Sequence, residues 1–317
     1  MGNSLHHKDN VKHLLILLIV ILMMCTSFAQ IPPQVIQWMQ MASVRASGGA
    51  FSPSSVAGLV AWYRADSLTA TVSATGGIKT TNGDYIVHSF TNSGTFAVSS
   101  GGAVEYLIVG GGGGAEAAGG GAGGFLSNLG SPTNITAGTY SIAIGAGGTY
   151  LKQGTNSSAF GLVAVGDGYG AAENNDGGSG GSGGGGSQGN ITHHIGGSGT
   201  AGQGTNGGNA TNNSASAGGG GAGGVGGASK AIRTGGDGGV GLSSAISGTA
   251  VYYAGGGAAG GNISGGTGGL GGGGGGNTGG GVAGTPNTGG GGGGGDASHG
   301  SRGGSGIVII RYLSGVP

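Results

Sequence analysis

The sequence predicts an all-β protein: a small β-sheet or sandwich base that carries a bundle of polyglycine-II helices, with essentially no α-helix after the N-terminal segment. Three observations lead there. Glycine makes up 91 of the 317 residues, and only eight of those glycines precede residue 101. Within the glycine-rich part the triplet Gly-Gly-X recurs, in GGAGGF (120–125), GGSGGS (177–182), GGVGGA (223–228), GGDGGV (235–240) and GGTGGL (265–270). Two strongly apolar runs, VEYLIV (104–109) and GIVIIRYL (306–313), stand just before and just after that tract.

The N-terminal elements are distinct from this domain. Residues 1–29 read as a signal peptide: Lys8 and Lys12 precede LLILLIVILMM, and Ser27 and Ala29 supply small residues for cleavage before Gln30. Even extended to Ala29, the apolar stretch falls short of the ~20 residues of a spanning helix. Membrane contact is therefore expected only through this segment, if it stays uncleaved. The single Cys, Cys25, lies inside it, so a mature chain has no disulfide or thiol chemistry. Residues 30–75 read as a leader or tether. Within it AGLVAWYRADSL (57–68) resembles the opening of laminin-G/concanavalin-like lectin modules. No jelly roll of the usual length follows, so no sugar site carries over, and the stretch reads as a remnant or a docking strand.

From residue 76 to 317 the glycine-rich domain is predicted, with its β base in 84–109, 139–166 and 306–313. DYIVHSF, the turn Asn92-Ser93-Gly94 and TFAVS read as a hairpin. TYSIAIG (139–145) and AFGLVAVG (159–166) read as further strands, being rich in β-branched and aromatic residues. VEYLIV and GIVIIRYL are apolar on both faces apart from Glu105 and Arg311. Both faces should therefore be covered, and the two strands are expected in one sheet.

The polyglycine-II runs are expected at 110–125 and 177–305. A three-residue-per-turn extended helix has no internal hydrogen bonds. In Gly-Gly-X, two of its three faces are bare backbone, so neighbouring helices approach closely enough to bond through their peptide groups. Ordering glycine is entropically costly, roughly 1–2 kcal/mol per residue, against about 1 kcal/mol net per hydrogen bond. Order thus demands nearly complete pairing. Phe125, Phe160, Tyr169, Leu242, Tyr252, Tyr253 and Leu270 are the expected anchor points; a disordered linker would need none.

Several chemistries are set aside. VEYLIVGGGGG has the spacing of a dinucleotide turn, but AEAA followed by GGGAGG cannot sustain the helix that must face the pyrophosphate, and 126–136 lacks the acidic ribose ligand. Formal net charge is zero, which removes the main driving term for nucleic-acid binding. In DASHGSR, Asp296, His299 and Arg302 would share a face about 9 Å apart, too far for a catalytic relay. GGGGGD (291–296) lacks a stacked repeat for calcium. His193 and His194 have no further ligand at metal spacing. The sequons at Asn134, Asn156, Asn190, Asn209, Asn212 and Asn262 matter only in a eukaryotic secretory route.

TNGDYIVHSFTNSGTF, AVEYLIVGGGGG, GGAGGF, TYSIAIGAGG, SSAFG, GGAGGVGG, GLSSAISGTAVYYAGGGAAGG, TPNTGGGGGGG and GGSGIVIIRY follow one another between Gly76 and Tyr312. This order resembles the glycine-rich domain of phage tail-fibre tip adhesins and related secreted glycine-rich proteins. The resemblance implies a β base, a polyglycine-II bundle on it, and receptor contacts made by loops at the far end. Those loops are Gln188–Ile195, Thr205–Ser216, Ser229–Thr234, Asn262–Ser264 and Pro286–Thr288. The export-type start departs from phage fibres and points to a secreted or surface protein of a cell, or a virus that uses a host secretory route.

The expected function is a non-enzymatic, extracellular adhesin-like protein that binds a cell-surface glycan or surface protein. The contact candidates are His193, His194, Asn206, Asn212, Lys230, Arg233, Tyr252, Tyr253 and Asn262. No catalytic residue, metal or cofactor is expected. The alternatives are a structural wall or matrix protein and, with poor regularity at X, an ice-binding protein.

Overall fold

A computed structural model of the chain describes residues 72–189, 193–211, 215–230, 233–295 and 299–315. Among these the regular structure is all-β, with no helix. The base is two sheets. The larger runs β2 (Ile78–Asn82), β3 (Tyr85–Phe90), β13 (Ile307–Leu313), β5 (Gly102–Val109) and β6 (Phe125–Ser127), with β7 (Thr133–Ile135) also on β5. The smaller runs β1 (Ser73–Thr75), β4 (Gly94–Ser100) and β8 (Gly138–Ile142). Two hairpins complete the set, β9 (Ser157–Ala159) with β10 (Leu162–Ala164), and β11 (Leu242–Ser244) with β12 (Val251–Tyr253).

VEYLIV and GIVIIRYL are direct neighbours, in the antiparallel register Val308↔Ile108 and Arg311↔Glu105. Alternate side chains feed two different cores, which is why neither strand alternates apolar with polar. Val104, Ile108, Val308, Ile310 and Tyr312 meet Phe90, Phe96, Val98 and Ile142 between the two sheets. Leu107, Val109, Ile307 and Ile309 point the other way, onto Ala122, Ile246, Tyr253 and Ala254 at the near end of the glycine tract. Each such buried aliphatic side chain contributes roughly 1.5–3 kcal/mol, and together they anchor the tract to the base.

The structure differs from the sequence expectation in three places. DYIVHSF and TFAVS do not pair as a hairpin. Both edges of β3 are taken, by β2 and β13, while β4 pairs with β1 and β8 in the other sheet. The short turn carries the chain across the sandwich, so that Phe90 and Phe96 enter the same core edge to face, 6.3 Å apart. AFGLVAVG is not one strand but the β9–β10 hairpin, turning at Phe160 and Gly161, both left-handed with φ of 56° and 77°. Two successive positive φ values match the twist of a tight hairpin, and the turn delivers Phe160 against Phe96 and Tyr140. Finally, IKTTN forms the edge strand β2 with every residue exposed. Lacking a buried face, it carries no hydrophobic pattern to read.

The glycine tract consists of extended threads that pair through their backbones. Residues 117–124 show the geometry best. The N–H groups of Ala118, Gly121 and Gly124 donate to Ala171, Gly168 and Val165. Those of Gly119 and Ala122 donate to Ala217 and Gly220, and those of Gly120 and Gly123 to Gly292 and Gly289. Every third residue therefore addresses the same neighbour, the signature of a threefold helix. The carbonyls of this rod accept from three other threads: Ala117 and Gly120 from Gly260 and Gly257, Gly119 and Ala122 from Gly185 and Ser182, Gly121 and Gly124 from Gly113 and Gly110. One rod thus sits among six neighbours, with its peptide groups as the contact surface. At the glycine positions even a methyl group does not fit: a Cβ built on Gly114 would lie 1.8 Å from the Thr149 carbonyl oxygen.

Of the expected anchors, Phe125, Phe160 and Tyr253 pack on the two cores. Leu242, Tyr252 and Leu270 are instead exposed.

Candidate functional site at the free end of the bundle

The threads reverse direction alternately at two ends. One end abuts the base. There the Phe125 N–H donates to the Gln203 carbonyl, Gln203 Nε2 donates to the Val163 carbonyl, and Gly289 lies against Val109. The other end is where side chains return after long runs of bare backbone, and these turns bond to one another.

Glu173–Asp176 forms one such turn, with Asn174 left-handed at φ 61°. Its Asn174 N–H donates to the Gln188 carbonyl, and Gln188 Nε2 donates to Glu173 Oε1 at 2.7 Å. Asp176 Oδ1 accepts the Ile195 N–H at 2.9 Å and stands 3.2 Å from His194 Nδ1. Buried Ser216 Oγ accepts the Gln188 N–H and meets Ser187 Oγ, which ties the next thread in. Further round, the Thr211 N–H donates to Ser229 Oγ at 2.8 Å. The Ile263 N–H donates to the carbonyl of Arg233, itself left-handed at φ 69°.

Lys230 pairs with Asp237 at 2.7 Å, and Asp237 Oδ1 also accepts the Thr267 N–H. Partial burial works against the Asp237 charge. The hydrogen bonds from Lys230 and Thr267 and the Lys230 charge outweigh that and hold the carboxyl below its ordinary range.

The sequence candidates therefore divide. His193, His194, Lys230, Arg233 and Asn262 belong to these free-end turns, and all but the half-buried His194 are exposed. Asn212 lies outside the described residues, as do Asp296 and Ser298 of DASHGSR. Asn206 is on the flank below the turns, where its Oδ1 accepts the Gly199 N–H at 3.0 Å. Tyr252 and Tyr253 are on β12 at the opposite end. Tyr252 is exposed there, whereas Tyr253 is buried with Val87 and Ile309. The Pro286–Thr288 loop also lies at the base end, where the Thr288 carbonyl accepts the Ala254 N–H and Asn287 N–H donates to Ser305 Oγ.

Sequence reasoning passed over Glu116. It sits in the AEAA turn of the central rod, 8% exposed, with its carbonyl accepting the Gly295 N–H at 2.7 Å. The signal was present, for Glu116 is the only charged residue between Gly110 and Phe125. Among the described residues no group of three or more His, Cys, Asp or Glu is placed to hold a metal ion.

A family model described as a glycine-rich domain matches residues 89–313, well over half of the chain. The chain belongs to the glycine-rich domain family. The match spans β4 to β13, so it takes in the threads and turns described above together with the base apart from β1, β2 and most of β3. A comparison with curated proteins gives no match.

Proposed function

We propose that this glycine-rich domain is a non-enzymatic, extracellular recognition module whose free-end turns contact a cell-surface glycan or surface protein. One observation carries the reading: the bundle interior is nearly devoid of functional side chains, whereas imidazole, guanidinium, ammonium and amide groups gather at the end away from the sheets. His193, His194, Lys230, Arg233 and Asn262 supply donors, and Glu173 and Asp176 supply acceptors, on turns tied together by backbone bonds. Such pre-organisation lowers the ordering cost of binding. The export-type sequence of residues 1–29 supports a location outside the cytoplasm.

The test uses the fluorescently labelled chain against immobilised glycans and intact cells. Replacing 189–193, 230–233 or 262–263 by Gly-Ser linkers is expected to abolish binding at one or more targets while leaving the fold intact. Unchanged binding in all three variants overturns the role of the turns. A chain that binds no target would instead serve as a structural wall or matrix component.

A further inference from the structure

A groove of about 420 Å³ opens at the opposite end, on the seam between base and bundle. Its lining includes Thr91, Asn92, Ser93, Ile144, Asn287 and Ser305. Four separate segments build it: the turn leaving β3, the chain leaving β8, Asn287 of the Pro286–Thr288 loop, and Ser305 two residues before β13. No lining residue carries a charge and none is aromatic.

The polar groups of Asn287, Ser305 and Ser93 are held in place. Asn287 is left-handed at φ 61°. Its N–H donates to Ser305 Oγ at 3.0 Å, and that hydroxyl donates back to Asn287 Oδ1 at 3.1 Å. This reciprocal pair fixes the carboxamide and leaves its Nδ2 group, among the described residues, as a pair of uncommitted donors. Ser93 Oγ accepts the Ile144 N–H at 3.0 Å and keeps its own proton to give. The side chains of Thr91 and Asn92 make no hydrogen bond among the described residues, so each offers both donor and acceptor capacity.

We propose that this groove is a second binding site, for a neutral polyhydroxylated ligand of one or two sugar rings. Without a cation it lacks the charge that would favour a phosphate or carboxylate over a neutral ligand, and without a ring it gives a flat aromatic ligand no stacking face. An extended peptide needs a free strand edge, but at this seam both edges of β3 and of β4 are taken, and the chain just past β8 is bridged to β9 through Ala143 and Ser158. A sugar presents hydroxyls that donate and accept together, which suits interleaved amide and hydroxyl groups, and Ile144 offers an apolar patch to its C–H face. The volume lies toward the small end of ligand sites, which span roughly 300–1,000 Å³. The proposal does not rest on the free-end turns.

The test is titration of the ¹⁵N-labelled full chain with glucose, galactose, mannose, N-acetylglucosamine, maltose and cellobiose. Saturable amide shifts are expected at Thr91–Ser93, Ile144, Asn287 and Ser305 with at least one of them. Asn287→Gly retains the left-handed backbone and removes the carboxamide, and Thr91→Val retains shape and removes the hydroxyl. With an unchanged spectrum elsewhere, each is expected to weaken that binding by about fivefold or more. No saturable shift with any of the six sugars overturns the proposal, as do shifts confined to the free-end turns or equal affinity in both variants.

Discussion

His88 and Tyr312 face each other inside the base, with the imidazole Nε2 3.0 Å from the phenol oxygen and the rings stacked 5.6 Å apart. The other nitrogen, Nδ1, lies 2.7 Å from the Gly76 carbonyl. A carbonyl can only accept, so Nδ1 carries the proton and Nε2 accepts from the Tyr312 hydroxyl. In this neutral form both ring nitrogens have partners. The ring links β3, β13 and the loop between β1 and β2, and it sits fully buried.

This arrangement predicts acid sensitivity. Burial pushes the His88 pKa below its ordinary 6.5; the Gly76 carbonyl opposes that, and Lys79, opposite it on β2, adds to it. As pH falls through 6.5 the unfolded chain takes up a proton that the folded chain refuses, so stability drops until the lower folded pKa is passed. Urea unfolding midpoints measured from pH 7.5 to 5 should decline in the wild type and decline less in His88→Gln. Equal slopes would place the sensitivity elsewhere among the histidines. Tyr312→Phe strands Nε2 and should cost about 1–3 kcal/mol at neutral pH.

Asp167 predicts the opposite trend. It is fully buried among glycine threads, with Oδ2 accepting the Gly113 N–H at 3.0 Å and Oδ1 without a partner. Burial raises its pKa well above 3.8, and the backbone N–H groups of Gly113, Gly168 and Ser182 nearby offset that only in part. A carboxyl raised on folding gives its full stability below the unfolded pKa and loses it as pH climbs toward the folded one. Asp167→Asn is already neutral. Its stability relative to wild type should rise as the pH is raised from 4 to 8, as measured by thermal unfolding, and a constant difference would refute the assignment.

How much of this was legible in the sequence depends on the physical origin of each feature. The central pair β5 and β13 could be read because burial on both faces leaves apolar runs, from Tyr106 to Val109 and from Ile307 to Ile310. The threefold threads could be read because only glycine survives where carbonyls approach so closely. The partner of β4 could not be read, since strand pairing depends on which edges are already occupied, and TFAVS carries no record of that. Nor could the ends of the bundle be told apart. Tyr253 and Asn287 resemble loop residues in sequence, and only the order in which the threads reverse places them at the base.

Glu105 and Arg311 were the two polar interruptions of those strands, and they form an ion pair across the ladder. Glu105 Oε1 also accepts the Gly130 N–H at 2.6 Å, and the Arg311 guanidinium lies 4.3 Å over the Tyr85 ring and donates to the Ala245 carbonyl. Their side chains are only 11% and 16% exposed. Removing one partner leaves a largely buried charge, so Glu105→Ala should destabilise by roughly 3 kcal/mol. A loss below about 0.5 kcal/mol in urea unfolding would show that the pair behaves as a solvated surface contact.

The bundle itself is tested by two glycines of different surroundings. Gly257 lies in the thread that runs from Ala254 to Gly260, donates to the Gly120 carbonyl at 2.8 Å, and would place a Cβ 1.9 Å from the Gly292 carbonyl oxygen. That oxygen belongs to backbone, which cannot rotate aside. Gly257→Ala must therefore push two threads apart and should cost more than the ~1–3 kcal/mol of ordinary overpacking. It should also speed amide exchange at Gly120 and Gly292. Gly275 has nothing within 4 Å of its would-be Cβ and no left-handed φ. There alanine only restricts the unfolded chain, so Gly275→Ala should be neutral or stabilise by up to about 1 kcal/mol. If both substitutions were tolerated alike, the glycine would be serving flexibility rather than contact, and the threads could not be joined through their peptide groups.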